Sequence, residues 1–534
     1  MAKKRFPCIC SLLLAFCLTH AGCFSSSEPS TYYGKVVTPQ AQEFRWSNGG
    51  LPQTFDPAFA AAPPDTDAVR ALFEGLTDYD PQTLAPVPAV ATRWESSHDG
   101  RVWTFYLRDN ARWSNGENVT AADFVRSWER TLKIGPLAPH TELLANIEGA
   151  APTVAAPHPF GARALNEHVL QVTLQRPDSS FPALVAHPVF RPVKVEAADH
   201  TSRLESHDLI SNGAFLLSAT GQDGVKLERA KTYWDDASVA LDRVTFVNTP
   251  DAEDALSAYE AGEIDAVTNA PFEPLALKLL APYKDFRRTT YGALTYYAFN
   301  TAREPFDDVR VREALALAID RERVSRDDLG GATEPAGKFL PEAMSGEKPV
   351  VDKAELLEYD VNKAKELLAE AGYPNGDGFP VIRLLINRNE QQRIVAQSVA
   401  AMWRTTLNIE TEIVIRNWDE YEAAIKTGDY DIVRRGIVMQ TTSELVNLRM
   451  LFEREHVAPS PSPVPEGAAR AEASPPEKPA VETEVQALKD LKAMPIYFAS
   501  SYSLVKPYVS GFDVNVLDAP SLKKTRLDTN WKQR

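Results

Sequence analysis

Residues 89–132 read AVATRWESSHDGRVWTFYLRDNARWSNGENVTAADFVRSWERTL, and the punctuation of this stretch sets a local architecture. Asp99-Gly100 is a hairpin signal, because glycine enters the left-handed conformation that tight turns between strands demand. The run after it, VWTFYLR over 102–108, has the aromatic and β-branched content of a strand. Thr120 is placed to cap a helix whose first turn carries Asp123. The tryptophans Trp94, Trp103, Trp113 and Trp128 are read as the core of a small β-rich unit and not as ligand contacts.

Working outward, HVLQVTL (168–174), AFLLSAT (214–220) and RVTFVN (243–248) repeat the strand signal between turn residues. From residue 252 the pattern changes. AEDALSAYEAGEIDAVTN predicts a helix, a stop at Gly262 and a strand over Ile264–Val267. DEYEAAIKTGDYDIV repeats the arrangement with Gly428 and a strand over Tyr430–Val433, so both copies carry G-[DE]-x-D-x-V. A helix followed closely by a strand is the second half of a βαβ crossover, and two distant copies predict two α/β lobes of related design. NEQQRIVAQSVAAMWRTTL adds a helix and IETEIVI a strand to the second lobe. DDVRVREALALAIDRERV predicts a helix with Val311, Leu315, Ala318 and Ile319 inward, and NKAKELLAEAGYP one that stops at Gly372.

Length and composition agree with a multi-lobed globular chain, since 534 residues with 44% hydrophobic content can bury a large core. The formal net charge of −16 and the lack of a long Lys/Arg cluster argue against a nucleic-acid partner. Lys3, Lys4 and Arg5 precede an apolar run from Ile9 to Leu18 that closes in Ala21-Gly22-Cys23. This reads as a secretory signal over 1–22, too short to span stably. All four cysteines, Cys8, Cys10, Cys17 and Cys23, fall within it or at its end, so a chain beginning at Cys23 has no intramolecular disulfide. Residues 23–43 suit a tether and 457–484 a Pro/Ala-rich loop.

The opening stretch resembles the signature of the family 5 extracellular solute-binding proteins, the oligopeptide, dipeptide and nickel-binding components of bacterial ABC importers. Trp94, Asp99, Gly100, Trp103, Trp113, Gly116, Thr120, Ala121, Asp123, Phe124 and Trp128 match its pattern. LFEGL (72–76), SNGAF (211–215), YEAGEIDAV (259–267), FDDVRVREALALAIDRERV (306–324) and AKELLAEAGYPNGDG (364–378) extend the likeness over nearly the whole chain, toward the oligopeptide-binding lipoproteins. The resemblance implies an α/β, periplasmic-binding-protein-like Venus flytrap with an additional β-rich domain. Its first lobe would take 44–76, 205–303 and 499–534, the additional domain 77–204, and the second lobe 304–498. Strands crossing between lobes are expected near Asn300–Pro305 and Tyr497–Tyr502. The AGC ending resembles a lipobox with Cys23 lipidated, although His20 stands where the family has leucine; a plain cleaved signal is the other reading.

The resemblance also implies a site. In the oligopeptide branch a peptide lies extended between the lobes and pairs its backbone with two protein segments. One follows Asp56-Pro57 and puts Ala61, Ala62 and Pro63 at the cleft, where Pro63 has no N–H to give. The other is the family's Arg-x-Gly-aromatic strand ending in an aspartate for the peptide's amino group. Here Arg434 and Gly436 match, Ile437 replaces the aromatic, Val438 follows, and Gln440 replaces the aspartate. A buried ammonium without a counter-charge costs several kcal/mol, so free-amine peptides are poorly served.

Arg434 shares a strand face with Ile432 and opposes Arg435. It serves either a ligand carboxylate or an internal ion pair. Trp418, Tyr296 and Tyr497 fall where the family lines its cleft with aromatics, or else pack the lobe. The sequence has no G-x-S-x-G, H-E-x-x-H or Walker A motif, and its histidines, including His200 and His207, lack metal-ligand spacing. Expected, then, is a monomeric, non-enzymatic, envelope-anchored peptide-binding protein that serves a membrane permease, with no cofactor or metal. The alternatives are a degenerate scaffold or sensor, or a binder of a non-peptide solute.

Overall fold

The computed structural model describes residues 31–150, 159–194, 209–344, 356–452, 481 and 483–532. The signal segment, Cys23, His200, His207 and nearly all of the Pro/Ala-rich run lie outside the described residues.

One eleven-stranded sheet runs through the protein. Its two long central strands, Phe286–Phe299 and Ala493–Val505, are antiparallel neighbours that belong to both ends of the sheet. At one end Ala493–Val505 pairs with Ala266–Thr268, and Glu43–Asn48, Arg243–Val247, Gly224–Arg229 and Phe215–Gly221 follow in order. At the other, Phe286–Phe299 pairs with Ile432–Val438, and Ile382–Asn387 and Thr411–Arg416 follow. The register of the central pair slips between Thr290 and Leu294. This slip marks a waist, where two extra residues on Phe286–Phe299 bend the strand and break continuous pairing.

The first crossing strand thus runs Phe286–Phe299, ahead of the Asn300–Pro305 segment expected for it, while Tyr497–Tyr502 lies inside the second. The strand stops at Phe299 because Asn300 turns inward, its side-chain amide donating to the carbonyls of Gly428 and Tyr430 at 3.2 and 3.0 Å.

The second lobe is a βαβαβ unit. Ile382–Asn387, helix Glu390–Leu407, Thr411–Arg416, helix Trp418–Thr427 and Ile432–Val438 place three parallel strands side by side. Gly262 and Gly428 both take left-handed φ, +79° and +66°, and end their helices as the repeated sequence pattern requires. Asp308 caps the helix Val309–Leu317, and Val311, Leu315, Ala318 and Ile319 are buried. The helix Glu484–Asp490 begins at Glu484, the last residue of the expected loop, with Thr483 as its cap.

The stretch that opened the sequence reading forms a four-stranded antiparallel sheet with Val169–Thr173 and Ala162–Asn166. Gly100 has φ +67° at the hairpin tip. Trp103, Phe105 and Leu107 alternate inward along Val102–Leu107. Thr120 and Asp123 form a reciprocal capping box on the helix Ala121–Ile134. Trp113 and Trp128 are fully buried, with their indole N–H groups donating to Asp123 and to the Phe190 carbonyl. These aromatics are core, as expected of them.

Candidate functional site

A cavity of about 220 Å³ lies at the waist and draws its walls from every part of the fold. Ala61, Ala62 and Pro63 contribute with Thr66 and Arg70 of the helix Asp65–Leu72; Val438, Met439 and Gln440 come from the end of the Ile432–Val438 strand. His187, Tyr291 and Leu517 complete it. The waist holds the two sides in register, because Gly292 accepts a hydrogen bond from the Met439 N–H and gives its own to Val516, both at 2.7 Å.

The wall at Ala61–Pro63 is fixed from behind. The Ala61 carbonyl accepts from His140 Nε2 at 2.8 Å, and the Ala62 carbonyl from the Thr66 N–H at 3.1 Å. Among the described residues neither the Ala61 nor the Ala62 N–H has a partner, so this segment offers donors rather than acceptors.

The opposite wall is a sheet edge. Ile432–Val438 pairs along its whole length with Ala293–Phe299, but on its other side only Ile432 and Val433 meet Leu384 and Leu385. Beyond Val433, among the described residues, that edge has no neighbouring strand, and an unpaired edge is a template for strand addition. Gly436 lies exposed on it.

The charged groups stand mostly behind the cavity. Arg70 Nη1 lies 3.6 Å from Asp67 Oδ1 and, among the described residues, has no hydrogen-bond acceptor although the atom is buried. Burial pushes the Asp67 carboxyl up to about 7, against the pull of Arg70 and of Asn48, whose amide donates at 2.9 Å. Burial likewise raises Asp518 to about 6 and Tyr291 to about 12. Burial, then the neighbouring His140 and Arg70, push His187 well below its ordinary value, so its ring is neutral at pH 7. His187 Nδ1 accepts from the Val189 N–H at 3.2 Å, which leaves the ring proton on Nε2. Gln440 lines the same cavity, and its Nε2 donates to the Val438 carbonyl at 3.3 Å.

Of the residues singled out in the sequence, the cavity brings together Ala61, Ala62, Pro63, Val438 and Gln440. Arg434 and Gly436 lie earlier on the same strand. Arg434 reaches Thr295 Oγ1 at 3.4 Å, and its buried Nε has no acceptor among the described residues. Trp418, 61% exposed, packs its ring 5.6 Å from Tyr421, whose hydroxyl donates to the Arg434 carbonyl. Ile437, Tyr296 and Tyr497 are buried. Tyr296 donates to the Leu451 carbonyl at 3.4 Å, and Tyr497 accepts from Gln392 at 2.9 Å.

Thr66, Arg70, His187, Tyr291, Met439 and Leu517 were not anticipated. Thr66 and Arg70 had a signal, since they are four apart on a helix that starts directly after Pro63-Pro64. His187 and Leu517 had none, being remote in sequence from every other wall.

Among the described residues no helix is long and apolar enough to cross a membrane, and no group of three or more His, Cys, Asp or Glu converges as a metal site. Two lobes joined by two crossing strands, with a cavity at the crossing, define a two-lobed binding protein. The chain belongs to the bacterial extracellular solute-binding proteins of family 5, whose conserved middle region matches residues 85–457.

It is 35% identical over 397 residues to the periplasmic murein peptide-binding protein MppA of Escherichia coli, covering 72% of each chain. It is 30% identical over 529 residues to the periplasmic oligopeptide-binding protein OppA of Salmonella typhimurium, covering 94% of this chain and 95% of that one. The solved unliganded open form of the murein tripeptide-binding protein MppA superposes with a TM-score of 0.77 at 29% identity, over 92% of this chain and 98% of that one.

Proposed function

We propose that this protein captures a peptide between its lobes and presents it to the membrane permease of an ABC importer. The carrying observation is the strand edge that has no neighbouring strand beyond Val433 among the described residues and whose end, Val438, lines the waist cavity together with the donor-bearing Ala61–Ala62 segment. An extended ligand backbone finds there a strand to pair with on one side and free N–H groups on the other, a recognition mode indifferent to side-chain identity. The names of the relatives, murein peptide-binding and oligopeptide-binding, support a peptide over other solutes. Arg434 serves the same reading as a donor to a ligand carboxylate, with an Nε that awaits an acceptor. Closure of the lobes about the waist couples occupancy to the shape that the permease meets. The protein works as a monomer in the periplasm, held to the membrane through lipidated Cys23.

Thermal-shift screening against random peptide pools, sugars and bile acids tests the reading, because a ligand that binds only the folded state raises its melting temperature by mass action. A shift with peptides alone is expected. A folded protein that responds to no peptide pool contradicts it.

A further inference from the structure

We infer that the first lobe rests on the membrane by the helix Pro274–Leu280, with Leu275 and Leu279 entering the headgroup layer of an anionic phospholipid bilayer. This rests on the lipidated Cys23 of the reading above and is independent of what the cleft binds. Thr31, the first described residue, fixes which surface an anchor faces. Its carbonyl accepts from the Lys284 N–H at 3.1 Å, Tyr33 gives its N–H to the Asp285 carboxylate at 3.0 Å, and the Lys35 N–H donates to the Glu260 carbonyl at 2.8 Å. The chain is therefore held on the first lobe from Thr31 onward, beside the start of the crossing strand at Phe286. Cys23 to Ser30 is eight residues, at most about 28 Å of fully extended chain. A compact chain of this length is roughly 60 Å across. A lipid at Cys23 thus brings only the surface around Thr31 to the bilayer.

The helix Pro274–Leu280 belongs to that surface. Leu280 is buried in a small core against which Tyr33, Phe272 and Phe286 also pack, so the helix and the entering chain form one patch. Leu275 and Leu279 are 67% and 64% exposed, and their spacing with exposed Lys278 puts all three on one helical face. Exposed leucines taken singly are ordinary on a protein surface. Here two of them stand a turn apart on the element that shares its core with the anchor's exit. Tyr33 packs on Tyr283 at 5.3 Å and Tyr32 on Trp531 at 5.9 Å, and tyrosine and tryptophan favour the headgroup level of a membrane. Charge selects the same face. The chain as a whole, at −16, is repelled by anionic lipid, but between Ala270 and Lys284 the two lysines outnumber the single acid, Glu273. An apolar helical face flanked by lysine is the pattern that lies in the plane of a membrane surface.

Lysine footprinting tests this. The lipidated protein, its acyl chains on Cys23 verified by mass spectrometry, is added to vesicles of phosphatidylethanolamine and phosphatidylglycerol and treated with a membrane-impermeant amine-reactive ester. The anchorless Cys23→Ser protein in solution is the reference. Lys278 and Lys284 are expected to react at least about tenfold more slowly on vesicles, the factor that burying the exposed part of one leucine supplies. Lys426, exposed on the second lobe, should react alike in both. Equal reactivity of Lys278 and Lys284 in the two settings, with Cys23 acylated, overturns the inference and leaves the anchor and peptide capture standing. The double change Leu275→Ser, Leu279→Ser, at two exposed positions, should keep the melting temperature and restore the reactivity; protection that survives it overturns the role given to the leucines. Protection that grows with concentration in the Cys23→Ser protein alone overturns the inference in favour of a second copy. A Cys23 without acyl chains removes the anchor and the inference together.

Discussion

The guanidinium of Arg130 holds both carboxylate oxygens of Asp56, at 3.0 and 2.6 Å, with neither side chain more than 1% exposed. Arg130 lies on the helix of the β-rich unit, whereas Asp56 anchors the segment that leads to the cleft, its backbone and side chain accepting from the N–H groups of Ala58, Phe59 and Ala60. The pair therefore ties a structural domain to a ligand wall.

Removing one partner leaves a buried charge uncompensated. Arg130→Met is expected to destabilise the protein by about 3–5 kcal/mol. The double change Asp56→Leu, Arg130→Met should recover much of that, because an apolar pair carries no desolvation penalty. Urea denaturation of the three proteins measures both effects.

The waist depends on Gly292. A Cβ there would stand 3.0 Å from the Val516 carbonyl oxygen and 3.0 Å from Met344 Cε. Gly292→Val is expected to cost about 1–3 kcal/mol through overpacking. It should also weaken ligand binding, because the crowding falls where the crossing strands bend. Small-angle scattering with and without ligand checks this, the variant showing a smaller change in radius of gyration than the parent.

Gly436 tests the sheet edge. It is exposed, and a Cβ there would come closest to Arg434 Nη2, the far end of a flexible side chain, at 3.1 Å, with the Leu294 carbonyl oxygen at an ordinary 3.6 Å, so Gly436→Val should leave stability within about 1 kcal/mol. Side chains stand perpendicular to a sheet, so this one crowds the Arg434 guanidinium on the strand's face, and a peptide whose carboxylate Arg434 holds should lose at least about tenfold in affinity, the scale of a hydrogen bond to a charged group. An unchanged affinity in calorimetry would place the ligand elsewhere.

The buried carboxyls make stability pH-dependent with a definite sign. Asp67 at about 7 and Asp518 at about 6 hold their protons in the folded state, whereas an unfolded chain releases them near pH 4. Between those values the folded state binds more protons than the unfolded one, so their contribution falls as pH rises from about 4 to about 7 and is fully present only below that window. Asp78 opposes this trend: burial raises its pKa, but Lys523 and Arg191 more than offset it and hold it below the ordinary carboxylate range. Melting temperatures of Asp67→Asn across pH 4 to 8 should lose part of the decline seen in the parent protein.

The elements were largely legible in the sequence because local rules govern them. Asp99-Gly100 turns a hairpin, Thr120 caps a helix, and Gly262 and Gly428 end theirs in left-handed φ whatever lies around them. The first crossing strand was displaced because a run of aromatic and β-branched residues from Phe286 to Phe299 does not say which lobe each end joins; its pairing with Ala493–Val505 does.

The cleft strand carrying Arg434, Gly436, Val438 and Gln440 was also recognisable from residue types at fixed spacing, a one-dimensional property. What seats behind that strand was decided by folding alone. Arg70, His187, Tyr291 and Leu517 converge on Gln440 from separations of more than a hundred residues in most cases, and neither periodicity nor spacing records that meeting. That the His187 ring in this wall is neutral follows from its burial, and burial exists only in three dimensions.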